Sequence, residues 1–315
     1  MMLESAMQRR RFISGTAALG IASAALPARA QQKVFLDYTQ EQLDQAYDQS
    51  FWAPHLNELQ ADDGRFSAEI RKATPPRTVP YGKADIEQLD IFVPPNARKA
   101  PVFVYFHGGA WLFNSRLDGS FPAPAVLPRG GIMVVPDFSN VKQARLPDII
   151  EQCRAATEWV ARNAESFGGD PSRIFVGGHS SGAHLTSCVL ITDWLKRGLP
   201  ADTVKGALVM SGMYELHPAM LSSRGKYVQI TKEEQAEASA MRHLDRIACP
   251  VAVAWAVSDS VEFRRQSMVF ASALRGMGKL ASSTEVFTAN HFTEPRQLGD
   301  PDSQLSDVLH TLMNI

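Results

Sequence analysis

Arg173-Ile174-Phe175-Val176-Gly177 followed by Gly178-His179-Ser180-Ser181-Gly182 is the stretch on which the reading of the fold turns. A short apolar run of strand character leads straight into a G-x-S-x-G pattern, and a helical pattern opens just after it. A serine on so tight a strand-to-helix turn takes strained backbone angles, so its neighbours must leave room; Gly178 and Gly182 do so. The turn lifts the Ser180 hydroxyl above the sheet, at the positive end of the following helix. A glycine-rich turn with a capping serine is the rival reading, and the strand before and helix after weigh against it.

Outward from this turn, strand-like runs recur at residues 101–106, 131–136, 205–211, 250–257 and 282–288. The first, Pro101-Val102-Phe103-Val104-Tyr105-Phe106, is almost continuously apolar, which suits a strand buried on both faces. Helical patterns alternate with these runs at 146–167, 181–197, 262–276 and 302–313. Pro147 near the start of the first helix and Gly168-Gly169 after its end are the expected boundary residues. The alternation predicts an α/β fold: a mostly parallel central sheet with helices on both faces. Residues 31–72 read as helical and polar, broken by Pro75, Pro76 and Pro80. Residues 214–244, polar and Met-rich, read as an excursion over the sheet edge that helps to form a substrate pocket.

The chain has 315 residues, 45% of them hydrophobic and 21% charged, with a formal net charge of −1. These are values of a globular chain with a sizeable core, and without repeats or low-complexity tracts residues 31–315 read as one domain. No basic cluster lies beyond the N-terminus, so nothing suggests a nucleic-acid surface. Arg9-Arg10-Arg11 precedes a short apolar stretch, residues 12–26, that ends in Ala28-Arg29-Ala30. That order is an export signal rather than a membrane span, and its arginines resemble the twin-arginine signature. Residues 1–30 are therefore expected to be removed, leaving a periplasmic protein without a membrane span. The rival is a basic tail on a cytosolic protein. Cys153, Cys188 and Cys249 are far apart and read as buried free thiols, although an exported chain can pair two of them.

His107-Gly108-Gly109-Ala110-Trp111 ends the 101–106 strand. Acyl transfer builds negative charge on a carbonyl oxygen, and converging backbone amides stabilise it by about 2.7–4 kcal/mol per donor. The amides of Gly109 and Ala110, with that of Ser181, are the expected donors of an oxyanion hole; His107 and Gly108 support the loop. A serine nucleophile needs a base that titrates near neutrality, which means a histidine. Of the eight histidines, His291 alone follows the last strand in the loop Ala289-Asn290-His291-Phe292. His179 and His184 flank Ser180 on the same turn and helix, where the ring does not face the hydroxyl productively. The orienting acid is Asp259, just beyond the 250–257 strand, with Glu262 as runner-up; Asp259 also suits the N-cap of the 262–276 helix. Trp111, Phe113, Tyr214, Phe263 and Phe292 adjoin these loops and are candidates for an apolar pocket for an aromatic group, or for core. No metal-ligand spacing is present, and acyl transfer of this kind needs neither metal nor organic cofactor.

These stretches, with Ser211-Gly212-Met213-Tyr214-Glu215-Leu216 and Asp259 through Ser267, resemble the arylformamidase (kynurenine formamidase-like) branch of the α/β-hydrolases, close to small carboxylesterases. The resemblance spans roughly Tyr38 to the C-terminus and implies Ser180, Asp259 and His291 as the triad, acting on a small-molecule ester or amide. Two departures stand out. Many relatives carry an aromatic residue where this chain has Ala110, and relatives acting on N-formylkynurenine usually work inside the cell. A simple carboxylesterase without amidase activity, and a silent hydrolase fold used for binding, are the alternatives; all three triad members being present argues against the second. The oligomeric state is left open.

Overall fold

A computed structural model describes residues 32–315 apart from Pro54, and residues 33–315 form one compact unit. The export segment expected at 1–30 lies outside the described residues. Eight strands make the main sheet: β1 (Arg77–Pro80), β2 (Gln88–Phe92), β3 (Ala100–Phe106), β4 (Ile132–Pro136), β5 (Gly169–His179), β6 (Val204–Met210), β7 (Val251–Ser258) and β8 (Leu280–Asn290). Their spatial order is β1-β2-β4-β3-β5-β6-β7-β8. β2 runs antiparallel to both neighbours, and every other pair is parallel.

Alternation along each central strand divides the core. Val102, Val104 and Phe106 face one apolar cluster while Phe103 and Tyr105 face the other, as a period of two requires. The first face is covered by α3 (Leu146–Asn163), α4 (Ser181–Leu190) and α5 (Val261–Gly276); the second is covered in part by α6 (Gln304–Met313). The N-terminal helices α1 (Gln40–Tyr47) and α2 (Leu56–Ala73) precede them in the chain. A side chain buried as fully as Phe106 or Phe263 contributes about 1.5–3 kcal/mol, and the sheet carries many of them.

Three expectations need correction. Residues 31–72 are not one helical stretch: a small hairpin (Lys33–Phe35 with Tyr38–Thr39) comes first, and Thr39 and Asp48 then start separate helices by accepting backbone N–H bonds. β1 occupies a segment read only as proline breaks, which works because Pro80 sits on an edge strand whose ladder tolerates a missing N–H. The helix expected over 181–197 ends at Leu190, and a separate turn of 3-10 helix follows at Leu195–Arg197.

Register carries the functional consequence. Gly178 pairs with Phe106 of β3 and His179 with Met210 of β6, so Ser180 emerges where the loop after β3 also emerges. Ser258 pairs with Asn290, which sets the next residues on each strand, Asp259 and His291, beside one another. All four loops leave the carboxyl ends of their strands, the edge at which open α/β sheets bind ligands.

Candidate active site

Ser180 has φ 56° and ψ −122°, a left-side conformation that a side-chain-bearing residue adopts only when its surroundings enforce it. The surroundings do. A Cβ on Gly178 would lie 2.5 Å from the Gly182 carbonyl oxygen, and one on Gly182 would lie 2.1 Å from the Phe106 carbonyl oxygen. Strand and helix therefore approach so closely that neither glycine can carry a side chain. The Ser180 amide is fixed by donating to Met210 O at 2.9 Å.

His291 Nε2 lies 2.9 Å from Ser180 Oγ, and His291 Nδ1 lies 2.9 Å from Asp259 Oδ2. All three residues are buried. Asp259 Oδ1 accepts from the Ser260 amide at 2.7 Å, so each carboxylate oxygen has a fixed partner. The imidazole is boxed by aromatic rings: Trp52 edge-on at 5.2 Å, Phe263 at 4.9 Å and Phe292 at 5.3 Å. With Nδ1 against a carboxylate, the ring carries its proton there and presents a bare Nε2 to the hydroxyl. Ser260, rather than Asp259, caps α5, and the runner-up acid Glu262 is bound instead to Arg265 and to the Tyr47 hydroxyl.

The loop after β3 is pinned from both sides. Trp111 N donates to Ser181 Oγ at 3.3 Å, and successive positive φ values at Gly109, Ala110 and Trp111 fold the chain back on itself. His107 stacks on Phe138 with centroids 4.2 Å apart, and its Nε2 faces Asp137 at 3.9 Å. Burial pushes the Asp137 carboxyl up, but His107 and Arg116 outweigh it and hold the group below its usual range. Among the described residues, the amides of Gly109, Ala110 and Ser181 donate to no protein acceptor.

Ser180 and His291 open onto a small, narrow cleft. His107, Gly108 and Gly109 form one wall, and Ala110 and Ser181 directly follow the wall residues Gly109 and Ser180 in the chain. Of the five aromatic residues expected in a pocket, Phe292 lines the cleft. Trp111 is buried and donates from Nε1 to His184 Nδ1 at 3.2 Å; Phe263 is core packed on His291; Tyr214 is core stacked on Phe270 at 4.1 Å. Phe113 is 54% exposed, with the Lys142 ammonium over its ring. Residues 214–244 contribute nothing to the cleft wall either. Their buried Arg224 donates to the Tyr47 carbonyl and sits over the Tyr47, Trp111 and Phe263 rings, so the excursion packs beneath α1.

The sequence reading missed Gln49, Asn114, Asp118, Phe121, His179 and Pro295, which complete the wall along with Tyr105. Gln49 and the ring partner Trp52 come from the N-terminal helical stretch, where an aromatic residue in a polar run was the only available signal. His184 is neutral core: burial, partly offset by the Ala238 carbonyl, pushes its ring down to about 4. Cys153, Cys188 and Cys249 are buried and free. Among the described residues no helix is long and apolar enough to cross a membrane, and no group of three or more potential metal ligands stands together.

Comparison with known proteins places this geometry. A family model described as BD-FAE matches residues 89–198, and one described as the carboxylesterase family matches residues 151–249. Kynurenine formamidase of Danio rerio is 30% identical over 287 residues, spanning 86% of this chain and 95% of the relative. That of Salmo salar is 30% identical over 242 residues, spanning 75% of this chain and 81% of the relative. The solved structure of EstE1, a thermostable carboxylesterase from a metagenomic library, has a TM-score of 0.64 at 20% identity, covering 82% of this chain and 95% of its own. The chain belongs to the kynurenine formamidase family of the α/β-hydrolases.

Proposed function

We propose that the protein cleaves carboxylic esters or aryl formamides through an acyl-enzyme on Ser180. The observation that carries this reading is the unbroken hydrogen-bonded line from Ser180 Oγ through His291 to Asp259, at 2.9 Å for each link. His291 Nε2 accepts the Ser180 proton as Oγ attacks the substrate carbonyl carbon, and Asp259 stabilises the imidazolium that forms. Amides of the His107–Trp111 loop and of Ser181 take the oxyanion, with Gly109 nearest the cleft. His291 then protonates the departing alcohol or amine, and water attacks the acyl-serine by the same route to release the acid.

The small cleft suits a small acyl group, and the Phe292 ring on its wall offers an aromatic leaving group an apolar flank. A chain starting at Gln31 is expected to turn over both p-nitrophenyl acetate and an N-formyl arylamine, with kcat/KM of about 10⁴ M⁻¹s⁻¹ or more. Ester turnover without formamide cleavage reduces the reading to a carboxylesterase.

We also infer that residues 1–30 direct export, on the strength of the arginine run, apolar stretch and A-x-A site in that order. Fractionation of cells making the full chain is expected to find a shortened protein in the periplasm. Full-length protein confined to the cytosol refutes this.

A further inference from the structure

Behind the reacting atoms lies a second group of buried polar side chains that the mechanism above does not use. Glu294 follows His291 by three residues on a turn closed by Glu294 N donating to Asn290 O at 2.9 Å, and Asn290 Oδ1 accepts from the Phe292 and Thr293 amides. That turn sends both His291 and Glu294 inward. Glu294 is fully buried; its Oε2 is hydrogen-bonded to Ser211 Oγ at the end of β6 and lies 3.9 Å from His179 Nε2. Among the described residues its Oε1 has no hydrogen-bond partner, and neither has His179 Nε2.

His179 is the link to the reaction. Its ring packs on His291 with centroids 4.4 Å apart, and it lines the cleft. A Cβ placed on Gly108 would lie 3.4 Å from His179 Nδ1, so the same ring also abuts the loop after β3. His179 thus stands between the general base and the expected oxyanion loop, and Glu294 stands behind it.

We propose that Glu294 is a positioning residue of the hydrolytic site: anchored by Ser211, it holds the His179 imidazole between His291 and the Gly108 loop, and it does so as a neutral acid rather than as a counter-charge. The inference rests on the serine-hydrolase reading above. Its physical basis is the company Glu294 keeps. The ionisable groups that face it are His179, Asp259 and the Tyr214 hydroxyl, none a permanent cation. An ionised Glu294 would bury a second negative charge beside Asp259 with one oxygen unpaired, which a protein avoids by retaining the proton. Burial accordingly pushes the carboxyl well above its usual range, opposed by Ser211 and reinforced by Asp259. His179 is driven the other way by burial and then by His291, so it too is neutral. Asp259 is left as the charge that orients His291.

Glu294→Gln preserves the shape and the neutral state, and Glu294→Ala removes the anchor. The Gln variant is expected to keep kcat/KM for p-nitrophenyl acetate within about threefold, with the acid limb of its pH profile unmoved. The Ala variant is expected to lose about tenfold or more, mainly in kcat, because His179 and the base behind which it packs lose their register. The kcat loss in Ala with rescue in Gln reports the positioning role, and melting temperature against pH reports the proton on Glu294 separately. A folded-state pKa raised above the unfolded value stabilises fully only below the ordinary carboxylate range, and that stability is lost as pH rises toward the folded value. Glu294→Gln has no proton to retain, so its melting temperature is expected to gain on the wild type as pH rises above the ordinary carboxylate range. An acid limb that moves down by about one unit in Glu294→Gln, with no such gain, means Glu294 is a counter-charge and overturns the proposal. Glu294→Ala with wild-type kcat overturns it equally. Ser180→Ala measured alongside separates this failure from failure of the serine reading, since only the latter leaves its turnover intact.

Discussion

Ser180→Ala is expected to lower kcat/KM for p-nitrophenyl acetate by about 10⁴-fold or more while shifting the melting temperature by only a few degrees. The two halves of that expectation have separate causes. The loss follows because, among the described residues, no other hydroxyl is placed against His291 Nε2; without Oγ the base has nothing to deprotonate but water. What survives over the uncatalysed rate comes from binding and the oxyanion donors, about 10³-fold in comparable sites. The small change in stability follows because alanine keeps the Cβ. The strained backbone at φ 56° is held by Gly178, Gly182 and the Met210 carbonyl, none of which depends on the hydroxyl. Steady-state kinetics and a thermal melt on the same preparation check both. Retention of more than about a tenth of the activity removes Ser180 as the nucleophile.

Asp259→Asn is expected to cost about 10³–10⁴ in kcat with little change in the fold. Its Oδ1 can continue to accept from the Ser260 amide, which turns the new NH₂ toward His291 Nδ1. An amide donor there makes Nδ1 the acceptor and moves the imidazole proton to Nε2, the atom that must be bare to receive the Ser180 proton. The ring stays in its box of Trp52, Phe263 and Phe292, so the site is intact and wrongly protonated. Kinetics at neutral pH are the check, and a loss below about tenfold shows that the aromatic box alone orients the base.

The features most legible in the sequence are those carried by local chemistry. The glycine spacing around Ser180 encodes a steric requirement that the register of β3, β5 and β6 then meets. Asp259 and His291 were the candidates because each follows a recognisable strand, and pairing of Ser258 with Asn290 sets them side by side. The pocket was not legible, since adjacency along the chain is not adjacency in space. Tyr214 stands close to β6 in sequence, yet its ring turns under the sheet onto Phe270. Trp52 and Gln49 reach the site from the opposite end of the chain, where nothing local marks them. His179 was set aside as a base and its ring packs on His291, but its place in the cleft wall went unread. Glu294 gave no sequence signal at all: a glutamate after a turn is ordinarily exposed, and only the packed structure reveals it buried against Ser211.

Labelling with a fluorophosphonate, followed by peptide mapping, asks of Ser180 itself whether it is the nucleophile. The serine oxygen displaces fluoride at phosphorus and forms a stable ester, so an activated serine reports itself without any assumption about the natural substrate. The expected result is a label on Ser180, loss of esterase turnover in proportion to labelling, and no label on Ser180→Ala. Full turnover after exhaustive exposure, or a label that tracks inactivation at another residue, would contradict it.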